Sequence, residues 1–297
     1  MLAAALPASP ALAAGEDEFF YRRGLVQYEN RMYRFATEDM ERALSINPGH
    51  FGAANVLGEI YRKQKLMKKS LDYYNISIGA NPSQPEIHYR LGTLYDFFYD
   101  STSSTHHYTK AVELDPAHGK AHLKLVRHFI IEKKDRAAAD RHFYESYRLG
   151  KKEGDPVLAE AKKEYDRGRE SEALKLYRKA IARNPADLDT YFLISGIYRR
   201  GKDYRKAVRI IEKVKHIRPD SEKALVMLGN LYYTTPLSQN KKFLIGMAVT
   251  NLEMALELNP RNRDALLLLA EIHQKTGKDV KAAKLFRELE KLEQERN

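Results

Sequence analysis

Proline recurs along this chain at a fixed interval. Pro48, Pro82 and Pro116 are 34 residues apart, Gly150 stands one interval further on, and Pro185 and Pro219 are again 34 apart. Pro260 lies 41 residues beyond Pro219, one interval plus seven. Four of these prolines sit in near-copies of one stretch: ALSINPGH (43–50), AVELDPAH (111–118), AIARNPAD (180–187) and ALELNPRN (255–262). A period of this length marks a chain built by stacking one small unit along an axis. Proline lacks the N–H that a helix needs and clashes with the preceding turn, so each copy reads as the end of a helix.

Numbering the marker proline as position 32 brings other positions into phase. Position 8 is Gly24, Gly58, Gly92 and Gly229; position 11 is Tyr61, Tyr95, Tyr198 and Tyr232. Position 20 is Ala36, Ser70, Ala173 and Ala207, and position 27 is Ala43, Ser77, Ala111, Ala180 and Ala255. Small residues at 8 and 20 allow two helix backbones to approach closely, with bulky residues at 11 and 24 around that contact. This pattern resembles the tetratricopeptide repeat, and VLGEIYRKQKLMKKSLDYYNISIGANP (56–82) carries it most cleanly. The resemblance implies an all-α fold, a right-handed superhelical solenoid of antiparallel helix pairs. Eight repeats follow in this register: 17–50, 51–84, 85–118, 119–153, 154–187, 188–221, 222–262 and 263–296. Repeat four departs from the pattern, since AxxxFxxS (139–146) fits only after a one-residue shift. Helix A of repeat five is less apolar, with Glu160 and Ala161 at positions 7 and 8. A softer joint is therefore expected near 145–160, between two stiffer halves of the 15–297 solenoid.

The first fourteen residues differ from the rest. MLAAALPASPALAA is small and apolar, ALA at 11–13 has the form of a cleavage site, and acidic residues begin at Glu16. The segment reads either as the back of a bacterial secretory signal peptide or as an Ala/Pro tail. The first reading carries the expectation of an exported, periplasmic protein; the second leaves a cytoplasmic one. No other apolar run is long enough to span a bilayer. The chain has no cysteine, which excludes disulfides, thiolate metal sites and a cysteine nucleophile.

In the family, helix A of each unit lines an inner groove that holds peptides or helices of other proteins. The resemblance therefore implies that groove-facing residues fall near positions 2, 5, 9 and 12. These include Tyr21 and Tyr28 in repeat one, and Asn55, Glu59 and Arg62 in repeat two. Repeat three offers Tyr89 and Asp96, and repeat four Lys124 and Arg127. Later repeats add Lys162 and Tyr165, then Phe192 and Arg199, then Asn230 and Tyr233. Aromatic and arginine side chains are the usual anchors of interfaces, but each tyrosine here can equally be an inter-helix filler. The family's carboxylate-gripping subset uses Lys at position 5, where this chain has Tyr21, Asn55, Tyr89, Leu123, Leu158, Phe192, Val226 and Leu267. That mode is disfavoured.

Charge is uneven. Residues 119–220 hold 27 Lys/Arg against 16 Asp/Glu, while the remainder holds 24 against 24. The excess reads either as a solvated surface, with many i,i+4 partners, or as a bias toward an acidic partner or polyanion. Sequence-reading of RNA, one base per repeat, is disfavoured because the reader positions vary without pattern. Among the histidines, His118 and His122 stand four apart and His106 and His107 are adjacent, but no carboxylate supplies a third ligand at metal spacing. No cofactor, metal or catalytic motif is expected. A seven-residue insertion is placed between the helices of repeat seven, within TTPLSQNKKFLIG (234–246), either functional or drifted. The last helix, with Phe286, Leu289 and Leu292, either caps the stack or docks a second copy or partner. The function expected is a non-enzymatic scaffold that binds a partner segment, in a cell-envelope assembly; the alternative is a polyanion or nucleic-acid binder using repeats four to six.

Overall fold

A computed structural model of the chain describes residues 10–151, 155–236 and 241–295. Among them are sixteen α-helices and no strand, falling in consecutive pairs. The pairs are α1 (Pro10–Glu29) with α2 (Tyr33–Ile46), α3 (Phe51–Lys63) with α4 (Met67–Ala80), and α5 (Pro85–Phe97) with α6 (Ser101–Leu114). There follow α7 (Gly119–Ile131) with α8 (Arg136–Gly150), α9 (Pro156–Asp166) with α10 (Glu170–Arg183), and α11 (Leu188–Arg200) with α12 (Tyr204–Ile217). The last are α13 (Glu222–Thr234) with α14 (Lys241–Leu258) and α15 (Arg263–Lys275) with α16 (Asp279–Gln294). Helix A of a pair is the odd-numbered helix and helix B the even-numbered one.

The close approach within a pair rests on a knob and a hole. The position-24 side chain of helix B lies directly over the position-8 residue of helix A. A Cβ on Gly58 would stand 2.5 Å from the Tyr74 ring, and one on Gly92 the same distance from Tyr108. Both tyrosines are fully buried. Positions 8 and 20 are near enough for Ser70 Oγ to donate to Gly58 O at 2.7 Å, and for Ser195 Oγ to donate to Ala207 O at 3.2 Å.

The repeated Asn-Pro and Asp-Pro stretches form the joints. The residue before proline is driven out of the helical region by the ring that follows, and Asn47, Asn81 and Asp115 are extended C-caps with φ of −129°, −141° and −134°. Each then accepts, through Oδ1, the backbone N–H two residues on: Gly49 at 3.1 Å, Ser83 at 3.0 Å and Ala117 at 3.0 Å. Asn184 and Asn259 repeat the turn with Ala186 and Arg261. Proline stops the helix, and the amide or carboxylate beside it shapes the turn.

The chain divides into two compact units, one ending at Ala121 and the other beginning at His122. The first has cores around Met40, Leu57 and Ile60, and around Tyr74, Leu91 and Leu94. The second has cores around Ile194, Ile211 and Leu228, and around Leu252, Leu269 and Ile272. The connector expected near 145–160 includes 152–154, which lie outside the described residues; α8 ends before it and α9 begins after it. The extra residue of repeat four lies in its turn, 132–135, where the turns of repeats one to three, five, six and eight have three residues. That shift brings Ala139 and Ser146 to the buried positions.

The insertion of repeat seven does not lie wholly between the helices. The segment from α13 to α14 is six residues against the usual three, and α14 is 18 residues long against 14 for most helices B. Four inserted residues therefore extend helix B; of the segment itself, 237–240 lie outside the described residues. At the other end of the chain, the signal-like segment 1–14 overlaps α1 from Pro10, and residues 1–9 lie outside the described residues. No described helix is long and apolar enough to cross a membrane. In α16, Ala282 and Leu289 are buried.

Candidate partner-binding face

In the first unit, the candidate residues of helices A are held by one another and by neighbouring repeats. The Tyr21 ring lies 4.5 Å from that of His50 and rests on Gly52. Tyr28 accepts a hydrogen bond from Lys63 Nζ at 2.8 Å. Asn55 Nδ2 donates to Gln84 Oε1 at 2.7 Å, while its Oδ1 is buried without a partner. Glu59 is the hub. It accepts from Arg62 at 2.6 and 2.9 Å, from the Tyr74 hydroxyl at 3.1 Å, and from Arg90. Burial opposes its ionisation, but the Arg62 hydrogen bond and the charges of Arg90 and Arg62 outweigh it and hold its pKa below the usual carboxylate value. Arg90 also reaches Glu86 at 3.0 Å, and Glu86 reaches His118 at 3.4 Å. Tyr89 packs between the rings of Tyr108 and His118, and Asp96 accepts from the Tyr108 hydroxyl at 2.7 Å. Glu59, Arg62, Tyr89 and Asp96 thus belong to one connected, half-buried polar layer.

The second unit is different. Its helices A leave a chain of grooves that share walls. Between α9 and α11 lies a groove of about 810 Å³, walled by Leu158, Lys162, Tyr165, Asp189 and Leu193. Tyr165, Asp189 and Leu193 also line the next, of about 350 Å³, with Phe192, Arg200 and Lys223. Lys223 in turn lines the third, between α13 and α15, of about 780 Å³, with Arg199, Val226, Met227, Asn230, Leu267 and Glu271. Lys162, Tyr165, Phe192, Arg199 and Asn230 therefore lie along one continuous face. Leu193 and Leu267 stand 51% and 46% exposed on it. Arg127 is exposed and Lys124 half-buried, both on α7. Tyr233 is half-buried with Lys275 Nζ 5.4 Å from its ring centre.

Several tyrosines serve a purpose that sequence reasoning missed. A tyrosine at position 12 meets the cation at position 13 of the next repeat, three times over. Lys63 Nζ lies 4.5 Å from the Tyr28 ring centre, the Arg200 guanidinium 5.1 Å from that of Tyr165, and Lys275 5.4 Å from that of Tyr233. These pairs staple adjacent helices A. A legible signal existed: Tyr28 and Lys63, and Tyr165 and Arg200, are each 35 residues apart. The Phe192 ring carries Lys223 at 4.2 Å in the same manner. Leu193, Arg200, Lys223 and Met227 were likewise not singled out from sequence.

Histidine pairs bind helix A to helix B in repeats three and four. His88 and His107 meet through their Nδ1 atoms at 3.0 Å, and His122 and His142 at 2.8 Å. His88 Nε2 faces Pro82 O at 3.0 Å, so a neutral His88 donates there and accepts at Nδ1 from His107. Burial, with the charges of His88 and His106, pushes His107 down to about 4. Burial, with His122 and Arg141, does the same to His142, also about 4. His118 and His122 do not converge, since His118 turns to Glu86 and His122 to His142. Among the described residues, no three His, Asp or Glu side chains converge as a metal set.

Comparison with known proteins places the chain. A family model for the tetratricopeptide repeat matches residues 21–85, 158–222 and 248–295. The human protein O-mannosyl-transferase TMTC1 is 26% identical over 115 residues, 39% of this chain and 13% of that protein. The mouse TMTC1 is 26% identical over 125 residues, 42% of this chain and 13% of that protein. The chain thus spans about 13% of the length of these curated relatives. The solved MamA RS-1 double mutant is 26% identical, with a TM-score of 0.42, covering 47% of this chain and 78% of that one. A tetratricopeptide repeat protein from Parabacteroides merdae is 17% identical, with a TM-score of 0.46, covering 87% of this chain and 99% of that one. With the family model matching more than half of its residues, the chain belongs to the tetratricopeptide repeat family.

Proposed function

We propose that this protein is a non-enzymatic scaffold that holds a segment of a partner protein along the helix-A face of α9, α11, α13 and α15. One observation carries the reading: three grooves in succession share walls and combine exposed Leu193 and Leu267 with Phe192, Lys162, Arg199 and Lys223. Apolar anchors flanked by long donors suit an extended or helical peptide, and the cations favour one with acidic residues. We place the scaffold in an exported, cell-envelope assembly, on the strength of the signal-like residues 1–14. The transferase activity named for TMTC1 is not carried over, because so little of that protein is spanned.

A second reading, polyanion binding through repeats four to six, is favoured by a groove of about 450 Å³ on the helix-B side. It is lined by Arg178, Lys206, Arg209 and Lys213 with Tyr191 and Tyr198. Photo-crosslinking in the native source separates the two. A crosslinker at Leu193 or Leu267 is expected to capture one protein, and one at Lys213 to capture none. Capture at Lys213 alone, with affinity that falls steeply as salt rises, would replace the first reading with the second. Mass spectrometry of the mature N-terminus tests export; an intact Met1 on the native protein removes that assignment.

A further inference from the structure

The turns between helix A and helix B in the first three repeats each present apolar side chains to solvent. A side-chain N-cap stabilises a helix; Asp100, Asp135 and Asp203 supply one to helix B, accepting from the N–H groups of Ser103, Ala138 and Lys206 at 3.0, 2.9 and 3.1 Å, whereas Arg169 and Lys278 supply none. In repeats one and two the N-cap residues are Met32 and Leu66, which cap nothing and are 44% and 46% exposed. The residue before the N-cap is left-handed in these turns. Gly168 and Gly277 occupy it in two repeats with φ of 76° and 71°, and Arg31, Lys65, Lys134 and Lys202 in four others with φ of 62°, 63°, 52° and 59°; repeat three places Tyr99 there with φ of 60° and 96% of its surface exposed. Phe97 and Phe98 precede it, also exposed, with rings edge to face at 5.3 Å.

These side chains share an edge. Lys63, beside the second turn, reaches Tyr28 and Tyr33 on either side of the first. Met67, just after the second turn, packs in the cluster of Leu94 and Tyr95 that leads into the third. Cations are interleaved along it: Arg31, Lys63, Lys65, Lys68 and Lys69 are exposed, and so is Arg34, which is paired with Glu38 at 3.2 Å. The acids nearest the aromatic tip are turned inward, Asp96 to the Tyr108 hydroxyl and Asp100 to its own helix. The corresponding turns of the second unit carry Arg169, Asp203 and Lys278 where Met32 and Leu66 stand.

We propose that this edge docks on an anionic lipid surface, with Met32, Leu66, Phe97, Phe98 and Tyr99 entering the interface and the Lys and Arg side chains meeting the headgroups. At three successive turns an apolar side chain is presented to solvent, and at the first two it stands where a capping residue would stabilise helix B. That is the mark of a surface kept for use. Short tips flanked by long cations suit an interface where apolar groups enter and ammonium and guanidinium groups stay at headgroup level.

Co-sedimentation of the full chain with vesicles of phosphatidylcholine containing phosphatidylglycerol tests this. Binding is expected, at least tenfold weaker to phosphatidylcholine alone. Met32→Ser with Leu66→Ser, and separately Phe97→Ser with Phe98→Ser and Tyr99→Gly, should each reduce binding at least tenfold. The serine pair supplies N-caps, so its thermal midpoint should not fall, which separates loss of binding from loss of fold. The chain has no tryptophan, so Tyr99→Trp gives a clean reporter whose emission should shift to the blue on vesicles. Absence of binding, equal binding to both vesicles, or binding untouched by both variants overturns the proposal. So does finding that the variants abolish capture of a protein while vesicles are ignored.

Discussion

The two compact units present the same helix-A positions to very different ends. In the first, positions 5, 9 and 12 hold Asn55, which donates to Gln84, and Glu59, Arg62, Tyr89 and Asp96, which are tied to Arg90, Tyr74 and Tyr108. In the second, the equivalent positions hold Phe192, Arg199, Val226, Asn230 and Leu267, which border open grooves. The backbone is the same helix pair in both. What differs is whether the side chains find partners inside the protein. A polar layer that satisfies itself stiffens its stack, whereas an apolar and cationic face with unfilled grooves remains available. The repeat supplies positions, and availability is decided by what neighbouring repeats offer them.

The largest expected effect tests the first half of that contrast. Glu59→Ala leaves Arg62 and Arg90 half-buried without their shared carboxylate and should lower stability by about 2–3 kcal/mol. Asp189→Ala, on the face of the second unit and 88% exposed at its side chain, should change it by less than about 0.5 kcal/mol. Urea unfolding of both variants gives the comparison, and equal losses would erase the distinction between a closed and an open face.

Acid should act on both units alike, because each contains a histidine pair. His107 and His142 are held neutral by burial, with pKa values near 4 in the folded protein against an ordinary 6.5. The unfolded chain binds more protons between those values, so stability is full above pH 6.5 and falls as pH drops toward 4. The loss by pH 5 is about 2 kcal/mol for each histidine. Thermal midpoints from pH 7.5 to 4.5 measure it, and His107→Phe and His142→Phe should each flatten part of the slope. An unaltered slope in both variants would place the acid sensitivity elsewhere.

The smallest effect concerns the staples. In a double-mutant cycle of Tyr165→Leu and Arg200→Met, the coupling should be about 0.5–1 kcal/mol. The same value is expected for Tyr28 and Lys63, since staples of one geometry occur in both units. A coupling of zero would return Tyr165 to the role of a free groove residue.

Much of the scaffold was legible because it depends on local steric rules. Pro48 and its copies end helices wherever they stand. Gly58 and Gly92 announce a close approach because no other residue leaves room for the ring of Tyr74 or Tyr108. The candidate face was legible only as a set of positions. Tyr28, Tyr165 and Tyr233 looked like ligand contacts, and their cations stand a full repeat away, where only stacking brings them together. Leu193 and Lys223 carry no signal by themselves, since an exposed leucine and a buried one are written with the same letter. The insertion of repeat seven could be counted in the sequence but not apportioned, because helix B can extend backwards over residues that also suit a loop.

By itself, then, the sequence determined the unit: its length, its two helices, the Asx-Pro joint and the small-residue contact. Each of these follows from backbone sterics and local hydrogen bonding within a few residues or one repeat. Only the tertiary structure decided which side chains are consumed by neighbours and which face outward. That outcome depends on partners about 35 residues away, as between Tyr165 and Arg200. The glutamate of Glu59, the leucine of Leu193 and the tyrosine of Tyr99 acquire their roles from burial, pairing and exposure, quantities that exist only once the repeats are stacked.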